Sequence, residues 1–153
     1  MIKVNVLTEE KFWSKKIKKK EIFFNSMCKF FPKKFRFLNK KIYLTLLLSN
    51  NKKIRLLNKK FRNKNKHTDI LSFPFSGKTM HNKENYLGDI VISFDYMNKP
   101  KNLNTKNFKE KTIKIFIHGF LHLLGYDHIK NEDYKKMLIE EQKIFKSVKK
   151  IFN

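Results

Sequence analysis

Apolar and polar positions alternate from the first residues: Ile2, Val4 and Val6 are separated by polar side chains, the period of a strand with one buried face. Thr8 followed by Glu9 and Glu10 reads as a helix cap with acids in the first turn. Phe12, Trp13, Ile17, Phe23, Phe24 and Met27 then give one helix an apolar side, with the lysine-rich run 15–20 as its solvated face, until Pro32 forbids continuation. Residues 41–48 (KIYLTLLL) predict a second strand, after which Ser49 and Asn50 are suited to cap a helix carrying Ile54, Leu56, Leu57 and Phe61 inward. Two further short β-type runs, 69–75 and 87–94, flank a polar loop with Gly77 and Asn82, the pattern of a hairpin.

From Thr105 the period becomes helical, with Ile113, Phe116, Ile117, Phe120, Leu121 and Leu124 at steps of three and four and Gly125 placed to stop the helix. A last amphipathic helix is expected to be capped by Asn131, to hold Glu132 and Asp133 at its positive end, and to bury Tyr134, Met137, Leu138, Ile144, Phe145 and Val148. With no repeat and no linker composition, residues 1–153 read as a single α+β domain. It has a roughly four-stranded mixed sheet packed with helices and a metal site at the end of a central helix.

Composition adds a charge problem. Lys and Arg total 36 against 13 Asp and Glu, a formal net charge of +23. Such a field attracts polyanions, which makes nucleic acid or an anionic surface the natural partner. Only Arg36, Arg55 and Arg62 are arginines and Ala is absent, a composition that A/T-rich codons also favour, so the lysine excess is discounted as evidence of function. Sixteen Phe and 41% hydrophobic residues still suffice for a core. The single Cys28 excludes a disulfide framework and reads as a small buried hydrophobe in a reducing compartment. The apolar stretch 115–126 is too short to span a bilayer, and the N-terminal twenty residues resemble no targeting peptide, so the expected location is cytoplasmic.

The chemistry concentrates in residues 117–128, IHGFLHLLGYDH. His118 and His122 stand four residues apart in a helical stretch, so both imidazoles leave one face. After Gly125 the chain is free to turn and bring His128 back as a third nitrogen ligand. Three imidazoles with no thiolate or carboxylate cluster beside them suit one Zn²⁺ with an open fourth position. A bare HxxxH pair would read as core histidines; the third His after a helix-ending Gly makes ligation the preferred reading. His67 and His81 lie in polar loops and read as solvated, His67 being a secondary ligand candidate because it precedes a strand. Asp127 fits turn chemistry, with ligand orientation or catalysis as alternatives. Zinc proteases of the HExxH type need Glu directly after the first His; here that residue is Gly119, which disfavours ordinary peptide hydrolysis.

The segment HGFLHLLGYDH, with HTDILSFPF at 67–75, YLGDIVISF at 86–94 and LNKKFRNKNK at 57–66, resembles the YbeY family of bacterial endoribonucleases acting in ribosomal RNA maturation and ribosome quality control. The resemblance covers about residues 40–130 in register. It implies His118, His122 and His128 as ligands to one Zn²⁺ per chain, and Arg62 as a phosphate-contacting or transition-state residue. It also implies a zinc-dependent, single-strand-preferring endoribonuclease whose partners are ribosomal RNA and ribosomal particles, without DNA or membrane. On its own residues Arg62 reads first as part of a solvated basic loop with Lys59, Lys60, Lys64 and Lys66, although a planar guanidinium suits the charge of a phosphoryl transition state. Two rival functions stay open: an RNA-binding ribosome assembly factor with a structural zinc and little nuclease activity, and a zinc hydrolase on another substrate.

Overall fold

The structure is a computed structural model that describes residues 1–76, 85–101 and 103–150. Strands β1 (Ile2–Thr8), β2 (Ile42–Ser49), β3 (Ile70–Pro74) and β4 (Tyr86–Ser93) form one sheet in the order β1-β2-β4-β3, with β1, β2 and β4 parallel and β3 antiparallel to β4. The mixed four-stranded sheet of a single α+β domain is therefore as expected. Its helices are α1 (Trp13–Lys16), α2 (Lys20–Lys29), α3 (Asn51–Arg62), α4 (Phe94–Met97), α5 (Thr105–Leu123) and α6 (Asn131–Lys149).

Period-two patterning decides which layer each strand residue joins. Val4, Leu44, Leu46, Leu48, Ile90 and Ile92 point into the main core with Phe24, Phe108, Phe116, Phe120, Met137 and Ile144. The opposite face carries a smaller cluster in which Ile54 of α3 packs with Leu71 and Val91, flanked by Leu47, Leu57 and Phe73. The sheet thus separates α5 from α3. At Gly88 the backbone takes φ +136° and a Cβ would lie 2.2 Å from the Phe73 carbonyl oxygen, so only glycine permits β3 to close on β4 there.

Both outer strands have their exposed backbone partly covered by side chains, the usual defence of a sheet edge. On β1 the Asn25 amide donates to the Val4 carbonyl and accepts from the Val4 N–H, both at 2.9 Å, in the manner of an added strand. On β3 Arg62 Nη2 donates to the Ser72 carbonyl at 2.9 Å, and Pro74 has no N–H to offer.

Several local expectations need correction. The N-terminal helix is two helices: Ile17, at φ −132° and ψ 100°, leaves the helical path and is 2% exposed. The lysine-rich run gains little by staying helical, and burying Ile17 in the core outweighs continuity. Thr8 belongs to β1 rather than capping a helix. Glu9 and Glu10 instead accept hydrogen bonds from the Ser49 hydroxyl and the Asn50 amide, tying the end of β1 to that of β2. Asn50 caps α3 as expected, accepting from Lys53 N at 3.0 Å, but Leu56 and Phe61 are exposed. Asn131 is the first residue of α6 and Lys130 its cap, while Tyr134 and Leu138 face solvent because only one flank of α6 meets α5. The one-turn helix α4 follows β4 directly, so Phe94, the last residue of the β-type run 87–94, is helical rather than extended. The pairing of β3 with β4 agrees with a hairpin; Gly77, Asn82 and His81 lie outside the described residues.

Candidate metal centre and active site

α5 begins at the Asn104 cap, whose side chain accepts from Asn107 N at 2.8 Å. Phe108, Ile113, Phe116, Ile117, Phe120 and Leu121 hold the helix on the sheet, and its spacing leaves His118 and His122 half-buried on one flank. Between them Gly119 is pressed against β3. A Cβ there would lie 2.6 Å from Ile70 Cδ1, 2.9 Å from Ser72 Oγ and 3.3 Å from Ile90 Cγ2. Ser72 Oγ also donates to the Gly119 carbonyl at 3.3 Å. The position that holds the general-base Glu in HExxH proteases is thus a packing contact with no room for a carboxylate.

The helix ends as Gly125 adopts φ +91°, with the Tyr126 N–H bonding back to the Leu121 carbonyl at 3.0 Å. Asp127 Oδ1 accepts from Ile129 N at 2.5 Å, an Asx turn that reverses the chain around His128. Turn chemistry, the first reading of Asp127, is what its side chain performs. The outcome is a triangle of imidazoles with ring centroids 4.6 Å apart for His118 and His122, 5.0 Å for His122 and His128, and 5.5 Å for His118 and His128. One potential ligand atom from each lies within 4.8 Å of the others. His128 is exposed, which leaves one side of the triangle open to solvent.

The second nitrogens of the helical pair are already engaged. His118 Nδ1 is 2.6 Å from Glu141 Oε1, and His122 Nδ1 is 2.9 Å from the Tyr126 carbonyl. Each acceptor favours an Nδ1–H tautomer and leaves the Nε2 lone pair unprotonated. The two Nε2 atoms then face one another at 3.1 Å. Two lone pairs converging at that distance repel unless a proton or a cation lies between them, so the donor set fits a divalent metal ion. Burial, the first cause, and the neighbouring His118 and His128 pull His122 below its ordinary pKa, which favours the neutral, ligating form.

Glu141 was not anticipated from sequence. It lies 23 residues from His118 on another helix, and the local pattern of α6 shows only a carboxylate pair, Glu140–Glu141, in a lysine-rich amphipathic segment. Arg62 closes α3, and its hydrogen bond to the Ser72 carbonyl places it on the β3 edge, across that strand from Gly119. Its guanidinium carbon is 5.7 Å from the centroid of the Phe73 ring, so Arg62 has a defined position rather than that of a free loop cation. His67 is not in the triangle; its Nδ1 pairs with the Tyr96 hydroxyl at 3.0 Å. Cys28 is buried, and burial pushes its thiol up, as suits an inert core residue.

The family model described as Endoribonuclease YbeY matches residues 6–149. An Endoribonuclease YbeY of Pelagibacter ubique is 64% identical over 149 residues, covering 97% of each chain. Another, from a Sulfurihydrogenibium species, is 36% identical over 144 residues, covering 94% of this chain and 91% of its own. A solution structure of a Thermotoga maritima protein, 23% identical, superposes with a TM-score of 0.57 over 95% of this chain and 88% of its own, and so shares the fold. The three-His segment, Arg62 and strands β2, β3 and β4 all fall inside the span matched by the family model, and the chain belongs to the YbeY family.

Proposed function

We propose that this protein is a zinc-dependent endoribonuclease that prefers single-stranded RNA, acts on ribosomal RNA during maturation and quality control of ribosomal particles, and works in the cytoplasm. The observation that carries the metal assignment is the approach of two Nε2 atoms to 3.1 Å while both Nδ1 atoms are committed elsewhere. His118, His122 and His128 would hold one Zn²⁺. When bound, the ion supplies a Lewis acid for a phosphate oxygen or for an attacking water.

The chain's own residues do the rest. Glu141 and the Tyr126 carbonyl hold the tautomers, and Gly119 lets the helix seat on the sheet. Arg62 presents a planar cation where a phosphodiester gains negative charge on the way to its pentacoordinate transition state. A purely structural zinc is disfavoured because such sites are closed by four protein ligands, whereas three histidines converge here and one is exposed. The crowding at Gly119 speaks against a protease-type hydrolase.

The test is single-turnover cleavage of a structured ribosomal RNA fragment at equal RNA occupancy, comparing zinc-loaded wild type with His122→Ala. Cleavage should depend on the metal and collapse in the variant while binding persists. Equal rates would overturn the catalytic assignment and favour an assembly factor whose zinc is structural.

A further inference from the structure

On α3 the apolar stripe Ile54, Leu57 and Phe61 follows helical spacing, yet its members end differently. Ile54 is fully buried against Leu71 and Val91, whereas Phe61, one turn past Leu57, overhangs the edge of the sheet and is 60% exposed. Its ring is not loose. It meets Phe73 of β3 edge-on, with centroids 5.5 Å apart and planes at 62°. The next residue, Arg62, is pinned to the Ser72 carbonyl and also lies over Phe73. An apolar ring is thereby held in a set orientation beside a fixed guanidinium.

The surroundings are uniformly cationic. Between Asn50 and Asp69 the sequence has no Asp or Glu, and Lys59, Lys60, Lys64 and Lys66 lie within five residues of Phe61 in the chain. Lys60 Nζ lies 5.3 Å from its centroid. A solvated basic face gains nothing from a large exposed phenyl group, whereas a polyanion carrying flat apolar faces is complementary to both features. Ser72 links this edge to the histidine helix: its carbonyl holds Arg62 and its hydroxyl bonds to Gly119, between the two helical histidines.

We propose that Phe61 is a base-stacking platform beside Arg62 at the β3 edge of the sheet, specifying single-stranded RNA over duplex. This rests on the reading of the protein as an RNA-cleaving enzyme. A nucleobase stacks on the Phe61 ring, Lys60 shifts from the ring to a phosphate, and Arg62 receives the adjacent phosphodiester. A duplex, whose bases are stacked on one another, cannot offer a free face. Stacking is indifferent to base identity because every base has a π-face, so the platform selects strandedness rather than sequence.

The experiment reads binding, so that it stands apart from cleavage. Full-length protein freed of metal with chelator is titrated by fluorescence anisotropy into a single-stranded oligoadenylate and into the same strand with one abasic position at each site in turn. Phe61→Leu, which keeps an apolar side chain on Phe73, should weaken binding of the intact strand by about 5- to 150-fold with an unchanged salt slope. Phe61→Trp should retain wild-type affinity. In wild type one abasic position should reproduce most of the loss, and in Phe61→Leu it should add little. Equal affinities for wild type and Phe61→Leu, or no measurable binding by wild type, would overturn the platform. Phe61-dependent binding without cleavage on restoring zinc would leave the platform standing and overturn the nuclease reading instead.

Discussion

Glu141 Oε1 lies 2.6 Å from His118 Nδ1, joining α6 to the histidine-bearing flank of α5 across 23 residues of sequence. A carboxylate on the far nitrogen of an imidazole fixes its tautomer, orients its ring and raises its basicity as a ligand. Glu141→Ala should therefore lower metal affinity by about 10- to 100-fold, with Glu141→Gln, which keeps an acceptor, losing less. Competitive titration against a chromophoric chelator measures both; unchanged affinity in Glu141→Ala would show that the carboxylate does not tune the site.

Acid should act through His122. Its folded-state pKa is depressed, so the unfolded chain takes up the proton first as pH falls through the ordinary value of 6.5, and the folded state is progressively disfavoured below it. Above 6.5 both states hold a neutral ring and this contribution is fully present. Metal-free protein should lose thermal stability on acidification through this window, with a shallower slope in His122→Gln. Zinc affinity should fall in the same direction because protons compete for Nε2. Melting curves and zinc titrations from pH 7.5 to about 5 test both signs.

Gly119→Ala should harm fold and site together. Its Cβ would meet Ile70 Cδ1 at 2.6 Å and Ser72 Oγ at 2.9 Å, both on the strand that supports α5. Overpacking of this kind costs about 1–3 kcal/mol, readable as a lower midpoint in urea, and tilting the helix would draw His118 away from Glu141 on α6 and weaken metal binding. A variant with the wild-type midpoint would mean that α5 has slack at this contact.

Arg62 and Lys64 should part company. If the guanidinium acts where charge develops, Arg62→Ala slows the chemical step by on the order of 10²-fold or more with a modest change in RNA affinity, and Arg62→Lys does not restore it. Lys64→Ala should weaken binding slightly and leave cleavage at saturating RNA intact. Because Arg62 also covers the Ser72 carbonyl, its loss should cost about 1 kcal/mol of stability as well, which denaturation separates from the kinetic effect. Equal small losses in both variants would return Arg62 to the basic surface.

Much of the molecule is dictated locally. β1 follows from a period-two run and the other strands from short runs of β-type residues, α5 and α6 from steps of three and four, and the triangle from a His pair at i and i+4, a helix-ending Gly125 and an Asx turn at Asp127. Each of these lies within a dozen or so residues, where backbone geometry alone decides which side chains share a face. What the local pattern misjudged were choices between competing burials. Ile17 breaks a helix to reach the core, and Leu56 and Tyr134 fall outside the contact area that the sheet and α5 provide.

Tertiary structure alone decided the partners. That Glu141 serves His118, that Gly119 is small because β3 is there, and that Arg62 and Phe61 stand on the same strand edge are consequences of how α3, α5 and α6 pack on one sheet. The composition and spacing of the chain determined the layers and the convergence of the three histidines, because helix and strand periods are properties of neighbouring residues. The supporting shell depends on contacts between elements far apart in sequence, and these are settled only when burial of both faces of the sheet fixes every helix at once.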